Sequence, residues 1–107
     1  MPVDSVSLSA SASLNGSIYL FGGVSATAEG GLNNRADAYR FDAKQRRWTT
    51  LRPLPRAARA MTAVAWDSRY ILLAGGYIAS QAEAAGKPAE FGFSSGLHLY
   101  DTATDQY

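Results

Sequence analysis

The sequence predicts an all-β fold made of two similar four-stranded antiparallel sheets. Three observations carry this. Residues 5–14 alternate small polar and apolar residues without a break, the period of a strand with one buried face. A four-residue apolar run closed by a glycine pair occurs twice, as Ile18–Phe21 before Gly22-Gly23 and as Ile71–Ala74 before Gly75-Gly76. Downstream of each pair comes an aromatic-Asp dipeptide, Phe41-Asp42 and Tyr100-Asp101, and six residues after the Asp an aromatic, Trp48 and Tyr107.

In chain order, the alternating stretch ends at Asn15-Gly16, the dipeptide best suited to a type I′ turn because both central residues need positive φ. Residues 5–23 therefore read as a hairpin. Residues 24–34, rich in Gly, Ala, Ser and Asn, read as a loop. Ala38–Asp42 is a third strand, residues 43–46 a turn and Arg47–Leu51 a fourth strand. Arg52-Pro53-Leu54-Pro55 ends the pairing, since neither proline can donate to a ladder. The second half replays the order, with strands over 60–66, 70–74 and 97–101, a turn at 67–69 and a second turn over 102–106. A longer loop spans 77–95. Its residues 79–87 have helical propensity, which leaves a short surface helix and an irregular excursion both open.

Gly22 and Gly75 are 53 positions apart (75 − 22), whereas Asp42 and Asp101 are 59 apart (101 − 42), as are Trp48 and Tyr107. The extra residues thus fall in the loop after the glycines, where insertions are tolerated. The chain divides into repeat units at 1–55 and 56–107.

Composition narrows the function. Ten basic and nine acidic residues give a formal charge of +1, so no field draws nucleic acid or an anionic membrane surface. There is no cysteine, which excludes disulfides, thiolate nucleophiles and cysteine-ligated metal centres and leaves the compartment open. No stretch approaches the roughly 18 to 20 apolar residues of a membrane span. Met1–Ser5 lacks the basic start and apolar run of a signal peptide, as a mature secreted chain or a fragment would.

The glycine pairs, the aromatic-Asp dipeptides and the aromatics at 48 and 107 resemble the kelch repeat, over nearly the whole chain as two consecutive copies. There are two departures. Tyr107 stands where the family usually has Trp, and the first repeat lacks the lead-in that Pro55-Arg56 provides to the second. The resemblance implies β-propeller blades. Gly22, Gly23, Gly75 and Gly76 would then allow close backbone approach. Asp42 and Asp101 would start turns, and Trp48 and Tyr107 would fill space between blades.

Kelch propellers close rings of about six or seven blades, and this chain holds two. Two blades leave sheet faces uncovered, so the resemblance implies either a part of a larger propeller or a homo-oligomer, with three copies making a six-bladed ring. The join is feasible. Trp48 to Trp66 is 18 residues (66 − 48), and from Tyr107 on to Leu14 of a following copy is 14.

Arg59 lies at the place where kelch arginines reach the channel mouth, with no counterpart near Ser7 in the first repeat. It is the leading ligand-binding candidate, for an anionic ligand, against a salt bridge on the surface or between blades. His98, the only histidine, alternates with Leu97 and Leu99 and is a weak metal or catalytic candidate on its own. Glu83, Lys87 and Glu90 are loop charges, more simply solvated than catalytic, and Phe91-Gly92-Phe93 is a loop anchor or a sugar platform. The glycine pairs are not phosphate loops, because no helix with Lys and Ser or Thr follows.

The long second loop is also similar to that of bacterial kelch proteins of the N-acetylneuraminate epimerase type, which implies a carboxylate sugar as ligand. Two readings result. One is a self-associating binding or scaffold module without cofactor or metal. The other is part of an isomerase, a sugar epimerase or mutarotase. A copper oxidase with a cysteine ligand is excluded.

Overall fold

Two antiparallel sheets face each other through a layer of aromatic rings. The computed structural model describes residues 8–26, 32–79, 91–93 and 96–107. The first sheet contains β1 (Ala10–Leu14), β2 (Ser17–Phe21), β5 (Ala38–Asp42) and β6 (Arg47–Leu51) in the order β1-β2-β5-β6. The second contains β7 (Thr62–Trp66), β8 (Tyr70–Ala74) and β11 (Leu97–Asp101), with β8 in the middle. Each sheet is a simple meander, so every hydrogen-bonded neighbour of a strand is its neighbour in the fold order.

The first hairpin turns at Asn15 (φ 51°) and Gly16 (φ 80°), the pair of positive φ values that a two-residue type I′ turn requires. Its counterpart has one residue more. Trp66 pairs with Tyr70, and Asp67 and Ser68 are both left-handed.

Both opening strands start later than the alternation suggests. β1 begins at Ala10 rather than Ser5, and β7 at Thr62 rather than Ala60. The cause is the same in each. Leu8 and Ala60, at equivalent places, are left-handed with φ 58°, which breaks the extended backbone. Residues 5–7 lie outside the described part.

The expected loop 24–34 is also more ordered than predicted. β3 (Val24–Ala26) pairs with β4 (Leu32–Asn34) as a ribbon, and β9 (Tyr77–Ala79) with β10 (Phe91–Phe93) repeats this in the second half. The stretch with helical propensity falls almost wholly outside the described residues. The second sheet shows three strands where four are expected. After the turn, Gln106 returns to Asp101 in a single bridge, with the Asp101 N–H donating to the Gln106 carbonyl at 2.7 Å. In the first sheet the matching pair, Asp42 and Arg47, opens the fourth strand.

Residues paired across a ladder point to the same face. Ala10, Phe21 and Ala38 therefore share one face of the first sheet with Ala12 and Tyr19, and this face turns to the second sheet. From the second sheet come Ile71, Leu73 and Tyr100, all fully buried. The rings interlock at the seam. Tyr100 meets Phe21 edge-on at 5.3 Å, Tyr19 at 6.2 Å and Tyr107 at 4.9 Å. Aromatic pairs at these separations add to the gain from burying the rings.

Polar bonds fasten the rim of this seam. The Asn15 amide donates to the Ser68 carbonyl at 2.8 Å, and the Ala60 N–H to the Leu8 carbonyl at 2.9 Å. On the other side the Arg52 N–H donates to the Asp105 carboxylate at 2.9 Å, and the Tyr107 hydroxyl to the Arg52 carbonyl at 2.8 Å.

Candidate functional site

The link between the sheets builds the candidate site. Pro53 and Pro55 keep residues 52–61 out of either ladder, and the segment crosses both glycine pairs. Leu54 is buried, its N–H bonded to the Ala36 carbonyl at 2.7 Å, and the Ala58 carbonyl accepts the Gly23 N–H at 2.8 Å. The crossing is tight. A Cβ on Gly22, which has φ 63°, would lie 2.4 Å from the Ala58 carbonyl oxygen. On Gly76 (φ 99°) it would lie 2.5 Å from Met61 Cγ and 3.2 Å from the Arg59 carbonyl oxygen.

Beyond Ala58 the link forms an antiparallel bridge with the start of β9. The Arg59 N–H donates to the Tyr77 carbonyl at 3.1 Å, and the Tyr77 N–H to the Arg59 carbonyl at 2.8 Å. This bridge lays the Arg59 side chain over its neighbour, with the guanidinium carbon 4.6 Å from the centre of the Tyr77 ring. Such a stack is a favourable cation–π geometry. The Asn34 amide, from the first sheet's ribbon, donates to the same Tyr77 carbonyl at 3.0 Å. Ribbons from both halves and the link thus meet around Arg59.

The two arginines at this end differ. Arg35 is held by Asp37 through Nε at 2.8 Å and through a second, shorter bond from its terminal nitrogen. Arg59 forms no ion pair among the described residues. Tyr39 lies close by, and its phenol is pushed up from the ordinary value by burial and then by the Asp37 charge. Arg59 is half-buried, and a guanidinium backed by an aromatic face and without a carboxylate partner among the described residues is suited to an anion.

The other residues singled out from sequence take structural positions or lie apart. Asp42 Oδ1 accepts the N–H groups of Lys44 and Gln45, both at 3.0 Å, and Asp101 Oδ1 accepts that of Ala103 at 2.9 Å. Asp101 is also gripped by Arg69, through Nε at 2.9 Å and the terminal nitrogen at 2.6 Å, which holds its carboxyl well below the usual range. Trp48 packs on Phe41 at 4.9 Å and Tyr107 on Tyr100. His98 pairs with Leu73 and shares its face, half-buried beside the seam and far in sequence from any residue of the Arg59 group. Among the described residues no cluster of three or more His, Asp or Glu could hold a metal. Glu83, Lys87 and Glu90 lie outside the described residues, and Phe91-Gly92-Phe93 forms β10.

Sequence reasoning missed Tyr77, which is held by backbone bonds to Arg59, and Asn34, whose side-chain amide reaches the Tyr77 carbonyl across 43 positions. It also missed Trp66, although alternation with Ala63 and Ala65 places Trp66 on the face opposite those alanines.

Residues 6–55 match the family model for the Kelch motif. That stretch of the chain therefore carries a kelch repeat. Among solved structures, YjhT matches this kelch chain with a TM-score of 0.63 and 22% sequence identity. The alignment covers 72% of the kelch chain and 22% of the YjhT chain, so the present chain spans about a fifth of that protein and shares its fold. Comparison with curated proteins gives no match.

Proposed function

We propose that this kelch chain is a binding and scaffold module that self-associates into a closed propeller, with three copies of two blades making a six-bladed ring. One observation carries this reading. Each sheet has a covered face and an uncovered one, and the exposed large apolar side chains include Ile18 on the first sheet and Val64, Trp66, Leu97 and Leu99 on the second. Apolar side chains gathered on the face of a repeat unit are ordinarily covered by the next unit. The division into repeat units at 1–55 and 56–107 is part of this reading. Sedimentation velocity tests it. The expected mass is three times that of one chain, and a folded monomer over the accessible concentration range overturns it.

A second reading is favoured by the Arg59 group. The guanidinium over Tyr77 would hold the carboxylate of a sugar acid at the loop-bearing end, as in a sialic-acid epimerase or mutarotase. NMR of sialic acid would follow exchange between its anomers in the presence of assembled protein. Faster exchange that Arg59→Gln abolishes supports this reading. Unchanged exchange and no chemical-shift change at the sugar overturn it.

A further inference from the structure

We infer that copies of this chain join head to tail, the Val64–Trp66 face of one copy docking on the Ile18–Phe41 face of the next. The inference rests on the self-association reading and specifies its partner and polarity. It follows from the seam already present inside the chain. Offsets of 52 positions in the opening strands (62 − 10), 53 from there to the glycines and 59 beyond them superpose the repeats, so Ile18, Leu20, Phe41 and Trp48 correspond to Ile71, Leu73, Tyr100 and Tyr107. The last four are the second sheet's contribution to the internal seam. Their first-sheet counterparts lie on the face turned away from it, and Ile18 is 42% exposed.

The opposite partner is matched as well. On the first sheet the seam is formed by Ala12, Leu14, Tyr19 and Arg40, to which Val64, Trp66, Leu72 and Leu99 correspond on the second sheet's uncovered face. One copy therefore presents both halves of a seam it already makes once, at opposite ends. The halves differ, so the contact is heterologous and repeats in one direction, which is how rings form.

Three details support docking by a second copy. Arg40 Nε is buried in the chain without a hydrogen-bond partner, whereas the corresponding Leu99 has no such group to strand, and Leu72 replaces Tyr19. The second sheet's half of the seam between copies is thus more apolar than the first sheet's half of the one inside. Val64 and Trp66 are larger than Ala12 and Leu14, and the residues that would face them, in the places of Ala63 and Ala65, are Ser11 and Ser13. Large side chains then meet small ones, as interdigitated packing requires. The backbone is also set for the join. Leu8 and Ala60 share one left-handed conformation, and Ala60 N–H already donates to the Leu8 carbonyl. The equivalent bond between copies runs from Leu8 N–H to the Ala60 carbonyl of the preceding copy.

Two blocked variants test the polarity. Trp66→Arg spoils one face and Ile18→Arg the other, both at exposed side chains. By sedimentation each alone is expected to fall to the mass of a monomer, and an equal mixture to rise to that of a one-to-one pair. In the mixture, amide exchange at Leu8 should slow at least tenfold in the Trp66→Arg chain and stay unchanged in the Ile18→Arg chain. A mixture that remains monomeric while the unmodified chain assembles overturns the head-to-tail join and leaves self-association standing. A monomeric unmodified chain overturns both. If far-UV circular dichroism shows either variant unfolded, Val64→Arg and Ser13→Arg, on the same two faces, decide with the same outcomes.

Discussion

Replacing Gly22 by alanine should cost far more than replacing Gly16, though both residues are left-handed. Gly16 (φ 80°) has no atom within 4 Å of where a Cβ would stand, so Gly16→Ala meets only the backbone term. That term is about 1–2 kcal/mol for an L-residue in the left-handed region. Gly22→Ala meets the same term plus a collision, since the added carbon would lie 2.4 Å from the Ala58 carbonyl oxygen and 3.2 Å from that of Arg35. Neither neighbour is a flexible side-chain end. The link must shift, at about 1–3 kcal/mol for overpacking of this kind, which puts the whole loss at about 2–5 kcal/mol. Any gain from stiffening the unfolded chain is common to both variants and cancels in the comparison.

Urea unfolding followed by circular dichroism measures the difference. With a slope of about 1–3 kcal/mol per molar urea, the Gly22→Ala midpoint should lie about 1 M below that of Gly16→Ala, at unchanged slope. Equal midpoints would mean that the link does not press on the glycine pair. Residues 52–61 would then not be what holds Arg59 in place.

Tyr100→Phe keeps the ring contacts but removes the hydroxyl that donates to Asp105 Oδ1 at 2.7 Å. A loss of about 1–2 kcal/mol is expected in the same unfolding assay, and no loss would show that this bond is not formed in solution. Acid should weaken the protein partly through Asp101, because the Arg69 guanidinium depresses its folded-state pKa below the ordinary 3.8. The stabilisation is complete above about pH 5 and is lost as pH falls toward the folded-state value, since the unfolded chain takes up the proton first. Asp101→Asn should therefore show a shallower fall in unfolding midpoint between about pH 5 and 2 than the unmodified chain; parallel curves would contradict the pairing with Arg69. Arg59→Gln should lower the unfolding free energy by no more than about 1 kcal/mol, the scale of the stack on Tyr77, since Arg59 forms no ion pair among the described residues. A larger loss would show that Arg59 chiefly holds the link in place.

Much of the fold is legible because its signals are local. Asn15-Gly16 specifies its own turn, the alternation over β1 specifies its own faces, and the glycine pairs recur in register. The ribbons were not legible for the converse reason. Val24-Ser25-Ala26 and Leu32-Asn33-Asn34 are three residues each, too short to show a period, and their pairing is set by where the link and the glycines hold their ends. The candidate site was half legible. The resemblance to the kelch pattern pointed to Arg59, but the ring beneath it is Tyr77, 18 residues on, brought there by a backbone bridge that no side-chain pattern announces. The two starts at Ala10 and Thr62 were misplaced because nothing in the types Leu8 and Ala60 signals a left-handed residue. The bond that joins them, from the Ala60 N–H to the Leu8 carbonyl, links residues 52 positions apart and leaves no local mark.

Residue 52 gives the molecule a gauge of its own opening. Its N–H and its carbonyl are both taken by the second sheet, through Asp105 and Tyr107, although Arg52 itself directly follows the last strand of the first. Its amide is exposed to exchange when the sheets part, even while each sheet stays intact. Amides within β5 exchange only when their own ladder breaks. The ratio of the two rates would separate hinging of one blade against the other from unfolding of either. A ligand or partner that clamps the blades would slow Arg52 before it slowed anything else.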